Sequence, residues 1–333
     1  YGSVRLDSVS AKKELQAAGL NLSNRFDQFD ALETRQDLEE LFAALVSVSD
    51  SQGRAAVFTP YALCANPDFD VLRNGARRYH YEALPQTFDR LASSQPKSYA
   101  GAWRLWQEGM QQGLLRPQFH GREHLNVQLL ETKLKAGDKM LITNLENRSL
   151  AALGGDVSIQ GVGFTQAFGL WERSAVDIHK KIIEDGLELF EDVFGFKAST
   201  FTPPAEAIHP DLYPWLESLG IRGIYKPRWC VRRIDHDQTA RELNLRLRPR
   251  GQRHVSLVRN VIFEPTSNRS VDSVQLALNQ IAAAFRWGRP ATVSSHRVNF
   301  CGHLDPENRT YGLAELRRLL RGIVQRWPDV QFI

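Results

Sequence analysis

SLVRNVIFEP, residues 256–265, is an apolar and β-branched run that closes on Glu264 and Pro265. Beyond it Val274, Leu278, Ile281 and Phe285 recur at helical spacing, and PATVSS at 290–295 is a second strand-like run. Strand, helix, strand is the pattern of a parallel crossover, because two parallel strands need an intervening segment to carry the chain back. The alternation continues on both sides. Strand-like runs occur in AAVFTP (55–60), ASTFTP (198–203) and IRGIYK (221–226), and helical faces in Ile183, Leu187, Phe190 and Phe194 and in Leu313, Leu316, Leu320 and Ile323. The expectation is an α/β protein with a largely parallel sheet, either a barrel or an open doubly wound sheet.

The chain has 333 residues, 42% of them hydrophobic and 24% charged, which supplies ample material for a large core. It reads as one domain over 1–333, with a helical and aromatic insertion at about 66–116 carrying Tyr79, Tyr81, Trp103 and Trp106. There is no internal repeat and no low-complexity tract. No apolar run reaches the length that spans a membrane. The formal charge of +4 does not call for a nucleic-acid partner; the basic stretch Arg241 to Arg253 could meet an acidic polymer, but a solvated loop is the favoured reading there. Cys64, Cys230 and Cys301 are odd in number and far apart, so they form no disulfide framework, and a reducing, cytoplasmic compartment is favoured over a secreted one.

Two segments carry chemistry. In Gln118-Phe119-His120-Gly121-Arg122-Glu123-His124 the two histidines, four apart, would share one face of a helical turn and could hold one cation. Gly121 within the turn argues against a regular helix there. The same letters read as H-x-x-E-H, the inverted zinc protease signature with Glu123 as base. The second segment, Val293 to Phe300, places His296 directly after an apolar run, where strand ends of parallel folds meet ligands and an imidazole can act as general acid or base. A capped loop histidine is the plainer alternative. Of the others, His80, His179, His209, His236, His254 and His303 read as surface or loop residues, and only His209, six residues past Pro203, is a candidate to reach the site.

Taken together, these blocks resemble the polysaccharide deacetylase superfamily, in a poorly characterised branch. The similarity runs through Gly2-Ser3-Val4-Arg5, AVFTPYALCANPDFD (56–70), the block Gly113 to Val127, Ser294 to Phe300, and Asp305 to Arg309. It implies a distorted (β/α) barrel and a metal-dependent hydrolase that removes N- or O-linked acetyl groups from a carbohydrate polymer. The metal motif falls on His120 and His124, with zinc the expected divalent ion. The reaction-assisting histidine falls on His296, as general acid. Phe201-Thr202-Pro203-Pro204 stands where the family usually has Arg-x-Pro-Tyr, so Arg5 and Arg259 become the candidates for the missing cation. Arg122, Pro203, Arg297 and Asn299 join them as substrate-binding candidates. The family's Asp-and-Trp motif is not visible. Its acidic pair, which supplies a base and a third metal ligand, is expected upstream of Tyr1. The rivals are the inverted zinc protease and a non-catalytic carbohydrate-binding protein on the same fold.

Overall fold

The computed structural model describes residues 1–153, 162–170, 172–235, 238–244 and 253–333. His236 and most of the basic stretch 241–253 lie outside the described residues. The chain forms two compact units, each built from three separate stretches. The first comprises Tyr1–Leu22, Tyr61–Thr87 and Gln118–Val258, and the second Ser23–Pro60, Phe88–Pro117 and Arg259–Ile333. The region 66–116 is divided between them, with the helix Phe69–Arg73 in the first and Ala102–Gln111 in the second.

The first unit contains strands β1 (Tyr61–Leu63), β2 (Ala65–Pro67), β3 (Tyr81–Ala83), β4 (Gln118–Gly121), β5 (Thr200–Phe201), β6 (Gly223–Tyr225), β7 (Trp229–Asp235), β8 (Gln238–Leu243) and β9 (Val255–Leu257). Five of them form one parallel sheet in the order β1-β4-β5-β6-β9. The long helix Ala175–Phe194 buries His179, Ile183, Gly186, Phe190 and Phe194. It meets β4 where the Phe190 and Phe119 rings stand edge to face at 6.0 Å. Gly186 permits that approach, since a Cβ there would lie 3.0 Å from both Phe119 and Arg122 side-chain atoms. The remaining pairs, β2-β3 and β7-β8, are antiparallel.

The second unit packs its core between helices. Leu41 and Leu45, Val274, Leu278 and Ile281, and Leu313, Leu316, Leu320 and Ile323 meet Val261, Phe263 and Phe300. Each of the three helices starts on a side-chain cap, from Thr34, Asp272 and Asp305, which satisfies amide donors that the first turn leaves without partners. Strands β10 (Val261–Ile262) and β11 (Val293–Ser294) pair in parallel.

The parallel α/β architecture expected from the strand and helix alternation is present. The run SLVRNVIFEP is not one strand, however. It divides into β9 and β10, with the boundary between the units at Val258 and Arg259. The polar Asn260 marks the break, its side chain donating to Pro290 O and accepting from Thr292 N. AAVFTP likewise forms only isolated bridges, Ala55 to Ser49 and Phe58 to Leu115.

Candidate functional site

In the first unit His120 and His124 come together, but not on a helical turn. His120 is the third residue of β4, and His124 lies in the loop that follows. The register of β1 against β4 slips at this point: Ala62 is opposite Phe119 and Leu63 opposite Gly121, leaving His120 as the extra residue of a bulge. A bulge re-aims a side chain at a strand end, and such features gather beside sites. Gly121 then turns the chain at φ +124°, a conformation that only glycine takes readily. Its missing Cβ also leaves room for Pro204, whose Cγ would be 3.4 Å away. The outcome is two half-buried imidazoles with ring centroids 5.1 Å apart, inclined at 65°.

The tautomer of His120 follows from its partner. Nδ1 lies 2.6 Å from the carbonyl oxygen of Thr202, and a carbonyl only accepts, so Nδ1 carries the proton and Nε2 the lone pair. Metal-binding histidines are oriented in this way, through the ring nitrogen that does not ligate. The Tyr61 ring is 6.0 Å from His120, and Tyr225 is 5.2 Å from Tyr61. Two imidazoles fit a zinc-type ion in donor chemistry. Among the described residues no group of three or more His, Cys, Asp or Glu gathers around a common point.

Between the two histidines, Arg122 and Glu123 turn inward. Glu123 is buried, with its oxygens 2.6 and 3.1 Å from the Arg122 guanidinium and 3.4 Å from the Tyr79 hydroxyl. Arg122 also reaches Asp185 at 2.7 Å and lies over the Tyr81 ring at 4.4 Å. Burial raises the Glu123 carboxyl pKa, and the Arg122 charge opposes that rise only in part. Both oxygens of Glu123 are therefore engaged by the protein. The Arg122 guanidinium is engaged likewise.

Pro203 is buried beside Thr202, and Ala205 and Glu206 just beyond it take φ of 51° and 55°. Such positive values in non-glycine residues cost on the order of 1–3 kcal/mol each and tend to cluster at sites. Arg5 is half-buried, and its carbonyl accepts from Leu150 N.

His296 belongs to the second unit and lies just beyond β11, after Ser295. Its Nδ1 lies 2.6 Å from Glu264 Oε1, its backbone N–H donates to the same oxygen at 3.1 Å, and its side chain is 55% exposed. Phe26 stands edge-on to the imidazole at 5.3 Å. Glu264 Oε2 accepts from Arg25 at 2.5 Å and from Asn299 at 2.9 Å. Burial pushes the Glu264 carboxyl up. The hydrogen bond and charge of His296, with Arg25 and Asn299 behind them, more than offset burial and hold it at about 2. A fixed carboxylate that orients one imidazole nitrogen leaves the other for proton transfer, the arrangement of a general acid or base.

Asn299, a sequence candidate, is thus brought to His296, but as a buried support: it holds Glu264, Ser295 and Thr266. Arg259 donates to Ser294 at 3.0 Å. Arg297 is buried against Asp30 at 2.9 and 3.0 Å and Glu33 at 2.9 Å, an internal ion-pair network. Glu264 and Arg25 were missed by the sequence reading. A carboxylate at the end of a strand-like run, in Phe263-Glu264-Pro265, was the available signal for Glu264, while nothing local marks Arg25. His179, His209 and His254, expected at the surface or in loops, are buried.

No family model matches the chain, and no curated protein matches it. Among solved structures it is similar to TK1436, a GH57 branching enzyme from the hyperthermophilic archaeon Thermococcus kodakaraensis, in complex with glucose and additives. The TM-score is 0.39 and the identity 11%, over 96% of this chain and 62% of that one. The chain thus spans less than two thirds of that structure's length. No helix among the described residues is long and apolar enough to cross a membrane.

Proposed function

We propose that this protein is a metal-dependent deacetylase of a carbohydrate polymer or oligosaccharide, on a distorted (β/α) barrel of the polysaccharide deacetylase type. The observation that carries the reading is the bulged end of β4. It sets His120 beside His124 and donates the His120 Nδ1 proton to Thr202, leaving Nε2 as the ligating nitrogen. His120 and His124 would hold the divalent ion, with zinc favoured by two imidazoles. When bound, such an ion polarises an acyl carbonyl and lowers the pKa of water. The resemblance gives His296 the proton owed to the departing amine or alcohol. The pairing of His296 with Glu264 supports that role, because it fixes the orientation of the ring and engages Nδ1, leaving Nε2 for proton transfer.

The test is acetate release from acetylated glycans by protein loaded with zinc, cobalt or nickel, with casein digestion run beside it. Acetate release that a chelator stops is the expected result. Peptide release without acetate would replace this reading with the protease, and binding of glycans without either product would leave a carbohydrate-binding protein.

A further inference from the structure

The first unit carries an antiparallel ribbon that the mechanism above does not use. Strands β7 and β8 pair with Trp229 opposite Leu243 and Val231 opposite Arg241. Glu242 turns its carboxylate to the buried Lys226, 3.5 Å away, and Lys226 in turn lies 3.7 Å over the Tyr213 ring. Side chains alternate along a strand, so Arg241 and Leu243 point to the opposite face, where Trp229 and Val231 lie across the ladder. That face is open: Trp229 is 66% exposed, Val231 67% and Leu243 45%. Thr239, two residues before Arg241 on the same face, is exposed as well. Trp229, Val231 and Leu243 thus form one exposed apolar face with Arg241 beside them.

Two observations identify what it takes. The ribbon starts shortly after β6, whose Tyr225 ring lies 5.2 Å from that of Tyr61, itself 6.0 Å from His120, so the chain leads into the ribbon from a strand beside the candidate metal pair. Charge is the second. Residues 226–253 hold nine Lys and Arg against three Asp and Glu, while the rest of the chain holds 33 against 35. The positive charge of the protein is concentrated in the sequence that forms and follows the ribbon.

We propose that the β7-β8 ribbon is a binding subsite for an anionic, carboxylate-bearing polysaccharide, with Trp229 stacking on the apolar face of a sugar ring and Arg241 pairing with a carboxylate. The inference rests on the carbohydrate reading above and narrows it to a substrate class. Arginine suits this role because its planar fork matches a carboxylate.

Binding is measured without turnover, so that it is independent of deacetylation. The full chain is run by affinity electrophoresis in gels containing polygalacturonate, neutral dextran or poly(U), at low and high salt. Wild type should be retarded by polygalacturonate and not by dextran, and the retardation should weaken with salt. Trp229→Ala and Arg241→Gln should each weaken it roughly tenfold, with unchanged circular dichroism. Arg241→Gln carries the test if the tryptophan variant does not fold. Equal retention by dextran, tighter retention by poly(U), or retention unaltered in Arg241→Gln would overturn the proposal. So would a concentration-dependent dimer that Arg241→Gln abolishes, because the ribbon would then serve a second copy. Salt-sensitive polygalacturonate binding without acetate release from any glycan would sink the deacetylase and leave the ribbon assignment standing.

Discussion

Nδ1 of His120 and the carbonyl oxygen of Thr202 are 2.6 Å apart, joining the ends of two adjacent parallel strands through a side chain. The Thr202 N–H returns the contact to Phe119 O at 3.0 Å. The imidazole is therefore held in one tautomer and one rotamer before any ligand arrives, which is the preorganisation a ligating histidine needs.

If the two histidines share an ion, His120→Ala and His124→Ala should each remove most of the zinc retained after dialysis, without loss of helical signal. The measurement is metal content by mass spectrometry. Full occupancy in both variants would remove the metal from the mechanism.

His296→Ala should preserve the fold and the metal and lower acetate release by roughly 10² to 10⁴, the usual worth of a positioned general acid. Glu264→Gln should produce a smaller loss in turnover and a shifted alkaline limb in the pH profile, because a general acid works only while protonated and the substitution alters the imidazole through its partner. Identical profiles for wild type and Glu264→Gln would show that the pair does not act as a unit.

The same carboxylate makes the protein acid-sensitive. Glu264 is held at about 2 against an ordinary 4.5, so the folded state binds its proton less readily than the unfolded chain. Its stabilising contribution is complete above about pH 4.5 and is lost as the pH falls through about 2. Thermal melts between pH 5 and pH 2 should show a steeper decline for wild type than for Glu264→Gln. Parallel declines would count against the assignment.

His179 sets a second pH dependence, at a higher range. It is buried on the helix Ala175–Phe194, and neither ring nitrogen has a hydrogen-bond partner among the described residues. Burial, aided by the charge of His209, lowers its pKa from 6.5 to about 4. Stability should be full above pH 6.5 and should fall by roughly 3 kcal/mol as the pH drops from 6.5 to about 4. His179→Phe should flatten that part of the curve, as read by urea unfolding at pH 7.5 and pH 4.5. An unchanged slope in the variant would mean that the loss arises elsewhere.

Glu123→Gln tests the buried pair between the two histidines. Removing one charge of a buried, hydrogen-bonded ion pair costs about 3–5 kcal/mol, because the other charge is left uncompensated. The expected result is a large drop in unfolding midpoint, with Glu123→Gln and Arg122→Leu together recovering part of it. A variant as stable as wild type would contradict the burial of Arg122 and Glu123.

Much of this protein was legible in the order of its residues. Helical spacing in Val274, Leu278 and Ile281 and in Leu313, Leu316 and Leu320 foretold two helices that bury those faces, because periodicity reports which side of a helix meets the core. His120 and His124 were marked by their spacing and by the block around them, but their geometry was not: spacing alone implied a helical turn, whereas a strand, a bulge and a glycine at positive φ bring the rings together. The partners of the site were hidden for one physical reason. Glu264 is 32 residues from His296, Thr202 is 82 from His120, and Arg297 is 267 from Asp30, so these pairs exist only once packing brings distant strands and loops together. Local pattern could not show that SLVRNVIFEP would be divided between two units, because both halves are equally strand-like and only the tertiary structure decides which sheet each half joins.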